Sequence, residues 1–189
     1  MIEFQDISFS YPEGTEGGLK NINLTIPDGQ CVLFCGQSGC GKTTLTRLVN
    51  GLIPQFFDGK LTGKVLFNGE NLFNVPMYQI AEKVGSVFQN PRTQFFNVDT
   101  DSEIVFGLEN EAVPQEELKS SVMETAKSLH IESLLGRNIF ALSGGEKQKI
   151  AFASVYAMNP EVYLLDEPSS NLDMATIKEL REHLKLIKA

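Results

Sequence analysis

The sequence predicts an α/β fold with a mainly parallel core sheet, an antiparallel β subdomain and a helical subdomain. Residues 31–35 form a continuous apolar run directly before a glycine-rich loop. Such a run is typical of a strand that is buried on both faces of a parallel sheet. Apolar and polar residues alternate near the N-terminus, which predicts strands with one solvated face, whereas residues 102–134 have helical periodicity. A chain of 189 residues is long enough to bury a sizeable core in one domain.

The chain is acidic, with a formal net charge of −8 at pH 7. This charge argues against nonspecific nucleic-acid binding, which needs a basic surface. No apolar stretch approaches the ~18–20 residues that span a bilayer. The N-terminus MIEFQDISF also lacks the basic start of a signal peptide. The sequence therefore predicts a chain of the cytosolic type.

The most informative stretch joins the apolar run to a predicted helix. Gly36 is followed, after four residues, by Gly41, Lys42 and Thr43, which is the phosphate-loop pattern GxxxxGK[ST]. Glycines let backbone N–H groups approach a polyphosphate closely. Lys42 brings a positive charge, the Thr43 hydroxyl can ligate Mg²⁺, and the helix that opens at Lys42 adds the positive end of its dipole. The pattern alone also fits a chance glycine-rich turn.

The N-terminal segment predicts the first strand. Apolar residues alternate with polar ones from Ile2 to Tyr11, which favours an edge strand with a break near Gln5 and Asp6. Tyr11 ends this strand. Its ring can stack on a base there, although by itself Tyr11 is interpreted as a core residue.

Two further segments predict antiparallel strands. Residues 21–26 alternate cleanly and lead into the turn signal at residues 27–29. Residues 64–67 form a short strand that leads into Asn68-Gly69, a tight turn of the hairpin type.

A polar residue ends the next apolar strand. Residues 76–83 predict a short helix, and residues 85–88 predict a buried strand that ends at Gln89. Ligands of open α/β sheets collect at the carboxyl ends of strands, so Gln89 is a candidate site residue. The alternative is that Gln89 only caps the strand.

Residues 102–134 predict a helical segment with an acidic, solvated face. Pro114 suits a helix start, and His130 is interpreted as structural, since no second His or Cys stands at ligand spacing. Apolar residues recur at helical spacing at Leu118, Val122, Ala126 and Leu129.

The stretch LSGGEKQ carries a second helix start. Ser143 stands three residues before Glu146, which is the spacing of a capping box and predicts a helix to about Met158. Most capping boxes are only structural. However, Gly144 and Gly145 lie in the first turn, where a glycine costs ~1 kcal/mol. They make sense if a phosphate approaches the backbone at this helix N-terminus.

An apolar strand at residues 162–165 ends in two carboxylates, Asp166 and Glu167. Burying such a pair without a cation is costly, so a Mg²⁺ ion and a water to be activated would account for both. A final helix follows, with Asn171 or Asp173 as its cap. Its apolar stripe consists of Ile177, Leu180, Leu184 and Ile187.

Three cysteines, Cys31, Cys35 and Cys40, lie within ten residues of one another. Cys31 and Cys35 fall on one face of the predicted buried strand, which favours core thiols over a metal site or a disulfide. Cys40 lies in the phosphate loop, next to a helix N-terminus and Lys42, and is expected to be the most reactive of the three.

Taken in order, these motifs resemble those of the nucleotide-binding subunits of ATP-binding-cassette (ABC) transporters, over the whole chain. Residues 36–43 resemble the Walker A loop, Gln89 resembles the Q-loop, and residues 142–148 resemble the family signature. Residues 162–166 resemble Walker B, Glu167 resembles the catalytic glutamate, and residues 169–173 resemble the D-loop. Tyr11 resembles the aromatic residue that stacks on adenine. The resemblance implies an ABC-type P-loop NTPase fold. It divides the chain into residues 1–88 with antiparallel β and the Walker A core, residues 89–141 with the Q-loop and helical subdomain, and residues 142–189 with the signature helix, Walker B and the D-loop.

The resemblance also implies a site. The implied nucleotide-binding residues are Tyr11, Gly36, Gln37, Ser38, Gly39, Cys40, Gly41, Lys42, Thr43 and Thr44. The implied catalytic residues are Lys42, Gln89 and Glu167, and the implied Mg²⁺ ligands are Thr43, Gln89 and Asp166. The implied signature residues, which would close over ATP bound to a partner domain, are Leu142, Ser143, Gly144, Gly145 and Glu146. The implied D-loop residues are Ser170, Leu172 and Asp173.

Further features look like the energy-coupling-factor group of importers, which take up cobalt, nickel and vitamins. The carriers of this narrower resemblance are residues 89–95, QNPRTQF, and residues 104–110, IVFGLEN. It implies an ATPase that uses ATP and Mg²⁺ and that is bound peripherally to the cytoplasmic face of the membrane. Its implied partners are a second ABC ATPase domain, the same or different, and an integral membrane subunit, with no nucleic acid.

One departure from the family pattern concerns the switch histidine. The family carries it on a strand after the final helix, but neither His130 nor His183 fits that position. We therefore expect the last core strand to be absent from this chain and its hydrolysis to be weak in isolation.

Two alternatives remain open at this stage. One is an ABC ATPase without a transport role, although relatives in DNA repair carry long coiled coils and those in translation carry basic linkers, and this acidic chain shows neither feature. The other is a nucleotide-binding module without turnover.

Overall fold

The structure is a computed structural model, which describes residues 1–12, 18–170 and 172–188. These residues form two compact units, Met1–Val84 and Gly85–Ile187. Among the described residues, no helix combines the length and the apolar composition needed to cross a bilayer.

A four-stranded antiparallel sheet organises the first unit, with the order β2-β1-β3-β4. Its strands are β1 Ile2–Ser10, β2 Gly18–Ile26, β3 Lys60–Phe67 and β4 Glu70–Asn71. β1 therefore has a neighbour on each side, and the prediction of an edge strand was wrong. Alternation reports one buried face, but it does not report how many strands pair with the segment.

The break predicted near Gln5 and Asp6 is confirmed. Asp6 has a φ of 49°, and the register of β1 shifts against both neighbours at this point. Gly63 on β3 faces the bulge with a φ of +83°, and a Cβ there would lie 2.4 Å from the Gln5 carbonyl oxygen. Only glycine can approach the bulged strand so closely.

Two other strand predictions in this unit, those for residues 21–26 and 64–67, are also confirmed. β2 contains residues 21–26 and ends before a turn at Asp28 and Gly29. Asn68 and Gly69 join β3 to β4 with φ values of 50° and 86°. Positive φ at both positions is the requirement of a type I′ hairpin turn.

The described part of the first unit also contains the α-helices α1 Lys42–Val49, α2 Leu52–Gln55 and α3 Met77–Lys83, and a 3-10 helix at Leu72–Asn74. α1 begins at Lys42, as the phosphate-loop pattern predicts, and α3 confirms the helix predicted at residues 76–83. α1 buries Thr44, Leu48 and Val49, so the helix that follows the loop is anchored by packing.

The predicted strand at residues 31–35 is not observed. The segment forms no strand in the structure, Leu33 is 82% exposed, and Cys31 and Cys35 are exposed rather than core thiols. An apolar run becomes a buried strand only when neighbours supply ladder hydrogen bonds and cover both faces. Within the described parts of the chain, no strand pairs with this segment.

The second unit holds a two-stranded sheet of β5 Val84–Val87 and β6 Val162–Leu165. The Asp166 N–H donates to the Val87 carbonyl oxygen at 3.0 Å, so both strands end side by side, as parallel strands do. The helices around them are α4 Thr100–Asn110, α5 Gln115–Ser128, α6 Gly144–Ala157 and α7 Met174–Lys188. The helical segment predicted at residues 102–134 is confirmed.

α6 is the central element of this unit. Every residue from Ile150 to Val155 is buried, so the helix is enclosed on all sides rather than amphipathic. The predicted apolar stripe of α5 joins the same core through Val122 and Ala126, and Leu180 of α7 does so as well.

α7 places His183 against α6. Its Nε2 atom lies 3.0 Å from the Leu129 carbonyl oxygen, and its ring stacks on Phe152 at a centroid distance of 5.5 Å. Burial lowers the pKa of His183 below its ordinary value of 6.5, against the raising effects of the Leu129 carbonyl and the nearby Glu179 carboxylate. The imidazole is therefore neutral in the folded chain at pH 7.

We expect acidification to weaken this packing. Below pH 6.5 the unfolded chain binds a proton that buried His183 resists, so stability falls as the pH decreases from 6.5 towards the lower pKa of the folded chain. The measurement is the melting temperature between pH 7.5 and 5.5 of the parent and of His183→Gln, whose amide does not titrate. A pH slope unchanged by His183→Gln would contradict the assignment.

Candidate functional site

The phosphate loop lies on the surface of the first unit, directly before α1. Residues 36–40 are exposed, and the Cys40 N–H donates to the Gln37 carbonyl oxygen at 3.3 Å, which closes a turn. Gly39 and Gly41 have φ values of 79° and 99°, in the left-handed region that glycine adopts without strain. The loop therefore presents its backbone to solvent at a helix N-terminus, which is a favourable place for a phosphate.

The side chain of Lys42 lies across this loop. Its Nζ atom donates hydrogen bonds of 3.0 Å to the carbonyl oxygens of Gly36 and Gln37. The positive charge is therefore held at the loop rather than extended into solvent. Thr43 is half-buried beside it, and its carbonyl accepts a hydrogen bond from the Thr46 hydroxyl.

Tyr11 contacts the same helix. Its hydroxyl accepts a 2.8 Å hydrogen bond from Nη1 of Arg47 and lies 3.4 Å from Oγ1 of Thr44. The structure thus brings the aromatic residue predicted to bind a base next to the helix that follows the phosphate loop. Sequence reasoning did not single out Arg47. The available signal was its position three residues after Thr44, one turn along the helix.

In the second unit, the structure brings Gln89 and Glu167 together. Nε2 of Gln89 donates a 2.9 Å hydrogen bond to Oε2 of Glu167, and Asp166 is the next residue along the chain. The expectation that both carboxylates are buried was wrong, because Asp166 is half-buried and Glu167 is exposed. β6 ends at Leu165, and the chain turns at Glu167 with a φ of 46°, so the carboxylates extend beyond the sheet.

The signature stretch forms the predicted capping box at the start of α6. The Ser143 N–H donates to Oε2 of Glu146 at 2.7 Å, and the Glu146 N–H donates to the Ser143 hydroxyl at 3.3 Å. The hydrogen bond from the Ser143 N–H lowers the pKa of Glu146 from 4.5 to about 2, with help from the Ser143 side chain and from Arg137 at 2.9 Å. The stabilisation by this carboxylate is therefore complete above pH 4.5 and is lost only as the pH falls towards 2.

The two signature glycines differ in their surroundings. A Cβ on Gly144 would meet nothing within 4 Å, whereas one on Gly145 would lie 3.2 Å from Oγ1 of Thr176. Leu142 is buried, and its carbonyl oxygen accepts a 2.6 Å hydrogen bond from Nζ of Lys147. Lys147 is itself buried, and the sequence analysis did not predict that it binds the signature turn in this way. Packing therefore fixes one side of the signature turn and leaves the side at Gly144 open.

The predicted D-loop leads from Glu167 to α7. The Ser170 N–H donates to the Glu167 carbonyl oxygen at 3.0 Å, and Leu172 packs against the core of the second unit. Asp173 caps α7, since its Oδ1 accepts from the Thr176 N–H at 2.8 Å, and this hydrogen bond lowers the pKa of Asp173. The alternative cap, Asn171, lies outside the described residues.

Cys40 is expected to react fastest with alkylating reagents among the three cysteines. All three thiols are exposed, so exposure alone does not distinguish them, but the Cys40 sulfur lies 4.0 Å from Nζ of Lys42. Reactive cysteines lie in exposed, electropositive surroundings of this kind. The measurement is mass-spectrometric mapping after brief alkylation, with and without MgATP. Equal labelling of Cys40 under both conditions would count against its place in a nucleotide site.

Comparisons with known proteins identify the family of this chain. Residues 19–170 match the family described as ABC transporter. A putative ABC transporter ATP-binding protein of Treponema denticola is 60% identical over 188 residues, which cover 100% of this chain and 38% of the relative. EcfA1 of Ligilactobacillus salivarius, an energy-coupling factor transporter ATP-binding protein, is 38% identical over 192 residues, covering 98% of this chain and 66% of that protein.

A solved structure has the same fold. CbiO1 from Clostridium perfringens, described as part of the ABC transporter complex CbiONQ, aligns with a TM-score of 0.85 at 30% identity. The alignment covers 99% of this chain and 73% of that one. The fold class predicted from the sequence is therefore confirmed. This chain spans 38% of the length of two Treponema denticola relatives that it matches.

Proposed function

This chain belongs to the ABC transporter family and carries its nucleotide-binding domain. We therefore propose that it binds and hydrolyses ATP to power a membrane importer. The observation that carries the proposal is the phosphate loop, in which Lys42 lies across exposed, glycine-rich backbone at the start of α1. ATP would bind there through residues 36–44, with its base on Tyr11.

The catalytic group that we propose is Glu167. Its carboxylate is exposed and is oriented by the hydrogen bond from Gln89, so it can take a proton from an attacking water. Lys42 would stabilise the charge that develops on the transferred phosphoryl group, by position and electrostatics rather than by covalent chemistry.

We propose Mg²⁺ as the metal. Its candidate ligand in the first unit is Thr43, and its candidate ligands in the second unit are Gln89 and Asp166, directly or through water. A hydroxyl, an amide carbonyl and a carboxylate are the hard oxygen donors that Mg²⁺ prefers, so these residue types fit it. When bound, Mg²⁺ offsets the negative charge of the phosphates.

The proposed partner at the signature is a second ABC ATPase domain, of the same or another chain. Ser143 and Gly144 are exposed at the N-terminus of α6, and no side chain covers Gly144 among the described residues. Backbone N–H groups in this position suit the γ-phosphate of ATP bound to the partner. The likeness to EcfA1 and CbiO1 supports an importer of the energy-coupling-factor type, for a metal ion or a vitamin, with this subunit peripheral on the cytoplasmic face.

Affinity purification from the native membranes tests this proposal. After detergent extraction, we expect an integral membrane subunit and an ABC ATPase to co-purify with the protein. We also expect the preparation to hydrolyse MgATP. Mass spectrometry identifies the subunits, and phosphate release measures the turnover. ATP binding without turnover or a membrane partner would support the nucleotide-binding module instead, and turnover without a membrane partner would support an ABC ATPase outside transport.

A further inference from the structure

An aromatic and cationic cluster stands at the end of β1, formed by Phe9, Tyr11, Arg47 and Phe57. We call it the Tyr11 cluster. Phe9 is almost fully buried, whereas Tyr11, Arg47 and Phe57 are half-buried, so the cluster connects the core of the first unit to its surface.

Perpendicular contacts fix the plane of the Tyr11 ring. The Phe9 ring lies 4.7 Å from it at 84°, and the Phe57 ring lies 6.4 Å away at 89°. Arg47 in turn places its guanidinium carbon 4.2 Å from the centroid of Phe57, in cation–π geometry.

The hydroxyl of Tyr11 is held separately, from α1. Nη1 of Arg47 donates to it at 2.8 Å, and Oγ1 of buried Thr44 lies 3.4 Å away. The same guanidinium therefore contacts both the Phe57 ring and the Tyr11 hydroxyl. The planar guanidinium is pre-organised for both contacts, whereas a lysine ammonium lacks the planar fork and holds the two groups less firmly.

We propose that Arg47 is a positioning residue for the nucleotide base. It holds the Tyr11 ring in the orientation for stacking on adenine, and it ties that ring to the helix that begins with Lys42. The inference rests on the proposed function, because it takes Tyr11 as the base-binding residue. Arg47 acts through Tyr11, so its contribution depends on the base and not on the phosphates.

Two ligands separate these contributions: MgATP, and magnesium tripolyphosphate, which has phosphates but no base. In isothermal titration calorimetry, Arg47→Ala is expected to weaken MgATP binding about 5-fold, a part of the energy of one base stacked on an aromatic ring. Its affinity for tripolyphosphate should be unchanged. Lys42→Ala should weaken both ligands. Arg181→Ala, which removes the same charge from an exposed position on α7, should weaken neither.

A double-mutant cycle tests the route through the hydroxyl. Tyr11→Phe keeps the ring and removes the group to which Arg47 donates. In the Tyr11→Phe background, Arg47→Ala should therefore cost less MgATP affinity than in the parent, because the two changes remove one interaction. Arg47→Lys retains the charge without the planar fork and should show the same loss for MgATP alone. If circular dichroism shows that Arg47→Ala is unfolded, Arg47→Lys takes its place in the comparison of the two ligands.

Three results would overturn the inference: an equal loss for both ligands in the Arg47 variants, no loss for MgATP, or additive effects in the cycle. The failure of the proposed function looks different, because the parent chain would then bind neither ligand, and the inference would fall with it. A parent that binds both ligands, with Arg47 variants that bind both equally well, would leave the proposed function intact and remove only the role of Arg47.

Discussion

Glu167→Gln is expected to abolish MgATP hydrolysis and to leave MgATP binding intact. Glutamine has the shape of glutamate and can still pair with Gln89, but it cannot accept a proton from the attacking water. A positioned general base contributes about 10²–10⁴-fold to a rate, so the turnover should fall by at least about 100-fold. Phosphate release and nucleotide affinity are measured on the parent and the variant in one preparation that hydrolyses ATP.

Two further variants give this experiment its controls. Glu116→Gln neutralises an exposed carboxylate on α5 and should not change the rate. Asp166→Asn should in addition weaken the dependence of the rate on Mg²⁺, because it removes the proposed carboxylate ligand. Turnover by Glu167→Gln at the parent rate would show that another group is the base.

Lys42→Ala is expected to remove most of the ATP affinity. The ammonium group of Lys42 lies at the loop, where it can form charge-assisted hydrogen bonds to phosphate oxygens. Losing one such bond costs about 1.5–3 kcal/mol, which corresponds to roughly 10- to 150-fold in the dissociation constant. Calorimetry with MgATP gives the measurement.

The matched control for this variant is Lys64→Ala. Lys64 is an exposed lysine on β3 of the same unit, so its loss removes the same charge away from the loop. Its affinity for MgATP should equal that of the parent. If Lys42→Ala also bound MgATP like the parent, the assignment of residues 36–43 as a phosphate loop would be wrong.

Features that depend on near neighbours in the chain could be predicted from the residue pattern alone. The capping box at Ser143 and Glu146, the hairpin turn at Asn68-Gly69 and the helix start at Lys42 were predictable because each pattern spans eight residues or fewer. Their geometry follows from backbone conformations and local hydrogen bonds, which a residue pattern reports directly.

The contacts between distant residues became known only from the three-dimensional structure. It paired Gln89 with Glu167 over a separation of 78 residues and Arg47 with Tyr11 over 36, and neither pair has a signal in the local pattern. It also placed β1 inside its sheet and left residues 31–35 outside any sheet. The physical reason is the same in each case: a hydrogen bond, a ladder or a covered face needs a partner, and hydrophobic periodicity describes one segment without naming the segment that joins it.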